Sequence, residues 1–234
     1  MKKEELTGDG NPIVRHGAMA AGDGLIEHAD DERIVAHLTR TLAAPTSVFH
    51  EIVSDRVHLD VHVVPAGEGR PFVTLVTAGM SARPMTMPPG IDDPAEWSHI
   101  ELCVLLPPDW PLDQASLQDD RNYWPIRLLK MLARLPHDYG TWLGWGHSIP
   151  NGDPAQPYAP DTKLCGAIII PPFAHEELFV VEGAPPMHLF QILPVTDAEM
   201  QLKVKKGLDP LLEKLEAKLP DVFGPIDRAR KSAV

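Results

Sequence analysis

Cysteine is scarce, with two in 234 residues. Cys103 and Cys165 each lie inside an apolar run and form no CxxC pair. That excludes a disulfide framework and the paired-cysteine zinc motifs, and it fits buried thiols in a reducing cytoplasm. Basic charge is also short: 21 Lys and Arg stand against 33 Asp and Glu, for a formal net charge of −12. A chain that tracks a phosphate backbone carries a basic stripe, so nucleic acid is not the expected partner. Long apolar runs are missing too. The longest, residues 164–174, is broken by Pro171 and Pro172 and is too short to cross a bilayer. The charged residues 1–5 have no apolar stretch behind them, so no secretory signal is expected. The expectation is a cytoplasmic protein with no membrane partner.

Catalytic signatures are absent as well. There is no GxxxxGK[ST], no GxGxxG after a strand, no GxSxG and no HExxH. Phosphate-loop enzymes, dinucleotide enzymes, α/β hydrolases and zincins normally show one of these. A Cys–His nucleophile needs an electropositive, partly exposed thiol, and both cysteines sit in apolar, acid-rich surroundings. The reading is a protein that is not an enzyme and takes no cofactor.

What is present suits a globular domain. Hydrophobic residues make up 44% and charged residues 23%, ordinary values, and the length suffices for a sizeable core. Proline (25) and glycine (17) are above average, which predicts many turns. Residues 1–24 are glycine-rich without periodicity and read as a flexible tail, leaving residues 25–234 as one domain. Ile34, Val35, Leu38 and Leu42 recur at helical spacing behind Asp30, Asp31 and Glu32. Strands are predicted at 57–63, 72–78, 100–106, 165–170 and 187–194, the first two joined as an antiparallel hairpin through the 66–69 turn. Residues 123–135 form the clearest helix, with Pro125 in its first turn and Pro136 at its end. Thr196 and Glu199 make a capping-box pattern before two short helices divided at Gly207. This gives an α+β class (α/β in the broad sense): a mixed, mostly antiparallel sheet flanked by helices, in one domain.

Three constellations carry possible chemistry. Between residues 90 and 120 there are eight acidic residues and no Lys or Arg. Such a stretch is either a solvated acidic loop or a docking surface for a basic partner. The loop 139–160 holds Trp142, Gly144, Trp145, Gly146 and His147. Its tryptophans either anchor a partner or pin the loop to the core, and one of each is compatible with the pattern. Finally, strand period two puts His58, Asp60 and His62 on one face, a conceivable metal site. The competing reading is the wet face of a half-buried strand.

The runs 72–81 (FVTLVTAGMS), 101–110 (ELCVLLPPDW), 123–136 (YWPIRLLKMLARLP), 146–152 (GHSIPNG) and 190–194 (FQILP), followed by Glu199, occur in an order and spacing that resemble the bacterial Suppressor of fused family. That family is similar to the N-terminal lobe of the animal Suppressor of fused protein. The resemblance covers residues 28–219. It implies the α+β fold and a non-enzymatic protein-binding module. In the animal protein two lobes close on a short peptide that adds a β-strand; this chain has the extent of one lobe, so that clamp does not carry over whole. Bacterial members resemble immunity proteins that neutralise polymorphic toxins, and the acidic surface suits a basic toxin effector as partner, since opposite charge steers encounter. The resemblance puts partner contacts in the acidic loop at Asp92, Asp93 and Glu96, with Glu101 in the adjoining motif. Trp142, Trp145 and His147 complete the expected partner-binding set. The alternatives are a metal-dependent enzyme or metal-binding regulator using His58, Asp60 and His62, and a homodimer formed through an exposed sheet edge.

Overall fold

The structure, a computed structural model, describes residues 5–19, 31–50 and 57–234. In chain order the elements are α1 (Asp31–Thr41), β1 (Ser47–Phe49), β2 (Asp60–Val64), β3 (Val73–Ala78), α2 (Pro94–Trp97), β4 (Ile100–Leu106), α3 (Asp120–Tyr139), β5 (Ser148–Pro150), β6 (Leu164–Ile170), β7 (Val180–Val181), β8 (Met187–Thr196), α4 (Asp197–Lys206) and α5 (Leu208–Lys218). All eight strands join one sheet in the order β1-β2-β3-β4-β8-β6-β5, with β7 beside β8. Every pairing is antiparallel except β4 with β8. The α+β class and the single mixed, mostly antiparallel sheet are as the sequence predicts.

Alternation along the strands sorts the core into layers. Val61 and Val63 of β2, Leu75 of β3, and Leu102 and Val104 of β4 pack with Trp124, Leu128, Leu129 and Leu132 of α3. The intervening positions Val64, Val76, Ala78 and Cys103 meet Ile34 and Leu38 of α1 on the other face. Farther along that second face, Ile168, Ile170, Leu193 and Val195 pack with Met200 of α4 and with Leu211 and Leu215 of α5. The central strands are therefore apolar on both faces, as covered strands must be. The predicted wet face of β2 does not exist, because α1 lies over it and Asp60 and His62 are buried.

The clearest helix is longer than its apolar stripe. Asp119 caps α3 by accepting from the Arg121 N–H, so Pro125 falls in the second turn. Pro136 does not end the helix. It sits in the last turn, where His137 reaches the Met80 carbonyl at 2.9 Å, and Gly140 closes the helix with a left-handed φ of 58°. Thr196 and Glu199 form the capping box at α4. Beyond residue 191, β8 is paired with β6 alone, which leaves room for Pro194 inside the strand. The C-terminal segment crosses the resulting gap between β4 and β8. The Ile226 N–H donates to the Leu105 carbonyl at 2.9 Å, and Arg230 donates to the Pro194 carbonyl at 2.9 Å.

Of the predicted tail, residues 1–4 and 20–24 lie outside the described residues, as does the proposed domain start near Leu25. Within 5–19, the Gly8 N–H donates to Val204 at 2.7 Å, Arg15 pairs with Asp153 at 3.2 Å and His16 stacks on Tyr139. No helix among the described residues is long and apolar enough to cross a membrane.

Candidate partner-binding surface

The acidic loop divides by use. Asp119 and Asp120 pair with Arg121 and Arg127, and Asp113 accepts from the N–H groups of Ala115 and Ser116. Those carboxylates shape the entry to α3. Asp92 and Asp93 are exposed, and their carboxylates make no hydrogen bond or ion pair with a described residue. Asp93 stands before α2 with a left-handed φ of 47°, yet its side chain does not cap that helix. Aspartate tolerates this region better than most residues. Glu96 is half-buried and turns inward, with Oε1 3.4 Å from Nε2 of His188. Trp97 stacks on the same imidazole at 4.5 Å.

Glu101 is not on this surface. It is 0% exposed, in the middle of the sheet. Oε1 accepts from the N–H groups of Gly79 and Ser81, each at 2.9 Å, and from the Ser81 hydroxyl at 2.6 Å. Oε2 accepts from the Thr77 hydroxyl at 2.5 Å. Burial pushes its pKa up, and the hydrogen bonds from Ser81, Thr77 and Gly79 pull the other way. It holds β3, the turn after it and β4 together and is out of a partner's reach.

The two tryptophans of the long loop separate. Trp142 is partly buried against the α3-side core and meets His147 edge-on at 4.3 Å. A side chain on Gly144 would come within 2.8 Å of that indole, so glycine is required for Trp142 to fold over it. Burial, helped by the nearby Lys203 charge, pushes the His147 pKa down to about 4, so it is neutral at pH 7. Trp145 is 60% exposed. Its neighbours are fixed all the same, because the Gly146 N–H donates to Ile169 at 2.8 Å and the His147 N–H to Gly144 at 3.1 Å. The chain leading into the acidic loop touches the aromatic segment, where Thr86 N–H donates to Thr141 at 3.0 Å and Leu143 N–H to the Met85 sulfur at 3.3 Å.

The predicted trio His58, Asp60 and His62 is not one cluster. His62 turns to Asp31 of α1, Nε2 to Oδ1 at 2.7 Å. His50, which the sequence pattern did not single out, takes its place, with Nδ1 2.9 Å from Asp60 Oδ2, while His58 Nε2 lies 3.4 Å from Oδ1. Both cysteines are buried thiols, and burial raises the pKa of each. A cavity of about 740 Å³ opens elsewhere, under the C-terminal segment between β4 and β8. It contains none of the predicted site residues.

A one-domain α+β protein built on a single mixed, mostly antiparallel sheet is a class and not yet a family. The family model described as Suppressor of fused protein (SUFU) matches residues 55–229, well over half of the chain, and the chain belongs to that family. No curated protein matches the sequence. Among solved structures, a Suppressor of fused homologue from Neisseria gonorrhoeae is similar over 87% of this chain and 96% of its own, at 16% identity and a TM-score of 0.62. A chain of the Sufu–Fu complex is similar over 86% and 91%, at 16% identity and 0.59. Drosophila Suppressor of fused is similar over 92% of this chain, at 15% identity and 0.58, and this chain spans 53% of its length. These likenesses show the shared fold.

Proposed function

We propose that the chain is a protein-binding module of the cytoplasm, not an enzyme, and that it neutralises a basic toxin effector as an immunity protein. The carrying observation is Trp145. A large indole left 60% exposed on a loop pinned at Gly146 and His147 contributes little to the core, whereas rigid exposed aromatics are the usual anchors of protein interfaces. The net charge of −12 and the unengaged Asp92 and Asp93 favour a basic partner, since opposite charge speeds encounter. A family relative solved as the Sufu–Fu complex supports protein binding as the mode of action. Glu96, Trp142 and His147 support the surface from within, and Glu101 is left out of it.

The test begins with capture from source-cell lysate at low and high salt, followed by expression of the captured protein alone and together with this chain. The expected partner is basic, released by salt, harmful alone and harmless when coexpressed. Asp92→Lys with Asp93→Lys then slows association about tenfold at low salt with little change in dissociation. Trp145→Ala abolishes capture while leaving the melting temperature nearly unchanged. A partner held equally well by Trp145→Ala overturns the anchor, and one that is harmless when expressed alone overturns the immunity role.

A further inference from the structure

At the outer corner of the sheet the pairing of β1 with β2 runs Ser47 to Val63, Val48 to His62 and Phe49 to Val61. One step farther places His50 opposite Asp60. Directly opposed side chains lie within about 5.5 Å at Cβ, and His58, two residues before Asp60, brings its Nε2 to 3.4 Å from Asp60 Oδ1. The register therefore delivers three donors to one point. The ligand atoms of His50, His58 and Asp60 all lie within 4.8 Å of one another. Their exposure is graded: the carboxylate of Asp60 is buried, His58 is intermediate and His50 is exposed. The buried carboxylate thus lies beneath two more exposed imidazoles.

We infer that His50, His58 and Asp60 form a zinc-binding site that ties the edge strand β1 to the start of β2. Two imidazole nitrogens and one carboxylate oxygen are a donor set that suits Zn²⁺ at four-coordination, with water or a partner's side chain in the fourth place. Imidazole donors select against Mg²⁺ and Ca²⁺, which take oxygen ligands. His62 is outside the site, its Nε2 directed to Asp31 Oδ1 at 2.7 Å. The bound ion carries no reaction step. Its effect is to fasten a three-residue edge strand. Lys130 of α3 lies within electrostatic range of Asp60.

The test uses the whole chain purified without a histidine tag, stripped with chelator and titrated with zinc alone against a chromophoric competitor. One equivalent is expected to bind saturably and to raise the melting temperature, because an ion bound by the folded state alone stabilises it. His50→Ala is expected to weaken zinc by more than the roughly 10–100-fold that loss of a supporting group costs. His50 is exposed, so this variant keeps its fold, and an unchanged circular dichroism spectrum checks that. His62→Ala is expected to retain one equivalent. Cobalt(II) titration of the wild type provides a second readout, a visible band of a low-coordinate nitrogen and oxygen site that saturates at one equivalent and is missing in His50→Ala. Absence of one-to-one binding, or undiminished binding in folded His50→Ala, overturns the inference.

Discussion

Glu101 and Glu199 are both wholly buried, and the two regions around them solve the same problem differently. Around Glu101 every partner is neutral: two backbone N–H groups and two hydroxyls. Around Glu199 the guanidinium of Arg230 forks across both oxygens at 2.7 and 2.8 Å, and the N–H groups of Thr196 and Ala233 complete the set. The consequences run in opposite directions. Burial lifts the Glu101 pKa against its hydrogen bonds. For Glu199 burial would also lift it, but Arg230 and the two backbone donors outweigh that and hold it below the usual carboxylate range. A neutral cage tolerates either protonation state, whereas a charged clamp demands one. The cage joins neighbouring strands, and the clamp fastens the C-terminal segment to α4.

The largest expected effect breaks the clamp. Arg230→Met leaves the Glu199 charge buried with backbone donors alone, and stranding one member of a buried ion pair costs about 3–5 kcal/mol. Urea unfolding should show that loss as a lower midpoint. Adding Glu199→Leu to the same chain removes the stranded charge and should recover much of it, because apolar replacement of a whole buried pair is often neutral. A double variant no better than Arg230→Met would mean that the loss lies in the unmoored segment and not in the charge.

An amide swap sharpens the contrast at smaller magnitude. Glu101→Gln keeps one oxygen for Gly79 and Ser81 and turns an NH₂ toward Thr77, whose hydroxyl can rotate to accept it. The cost expected is about 1 kcal/mol, the net worth of a single hydrogen bond. Glu199→Gln removes the charge that Arg230 faces and should cost about 3 kcal/mol. Equal losses from the two swaps would show that the neutral cage depends on ionisation as much as the clamp does.

Much of this was legible in the sequence, and the misses have physical causes. The alternating valines of 57–63 and the run 100–106 announce strands because period two is local. The Thr196 and Glu199 pattern announces a helix start because a cap is local too. Arg230 is invisible from there, since it approaches from 31 positions away. Glu101 looks like part of an acidic loop by charge count, but it is the lone charge in the apolar run ELCVLL, and a single carboxylate inside a buried strand has to be caged. His50 could not be found by spacing alone. It meets Asp60 across a register that depends on how β1 pairs. The sequence marks Trp142 and Trp145 alike as flanked by glycine. What tells them apart is Gly144, whose missing side chain makes room for the Trp142 indole, and the 60% exposure left to Trp145.

The smallest and most discriminating effect is a difference in pH dependence between the two swaps. An ordinary glutamate titrates at 4.5. Between 4.5 and the raised native value of Glu101, the native state holds a proton that the unfolded chain has released. Stability from this group is therefore fully present below 4.5 and declines as pH rises through the native value. The gap between wild type and Glu101→Gln should be widest in acid and narrow toward neutrality. Glu199 has the opposite sign: its native value is depressed, so its contribution is present above 4.5 and is lost as pH falls through the native value. The gap between wild type and Glu199→Gln should be widest at neutral pH and close in acid. His37, His137, His147 and His188 are all held below the ordinary 6.5 by burial. They destabilise every variant alike as pH falls below that value, so they cancel when differences are taken. Parallel gaps across pH 3–8 in urea melts would show that the two carboxylates are held in the same way, and the contrast between cage and clamp would fail.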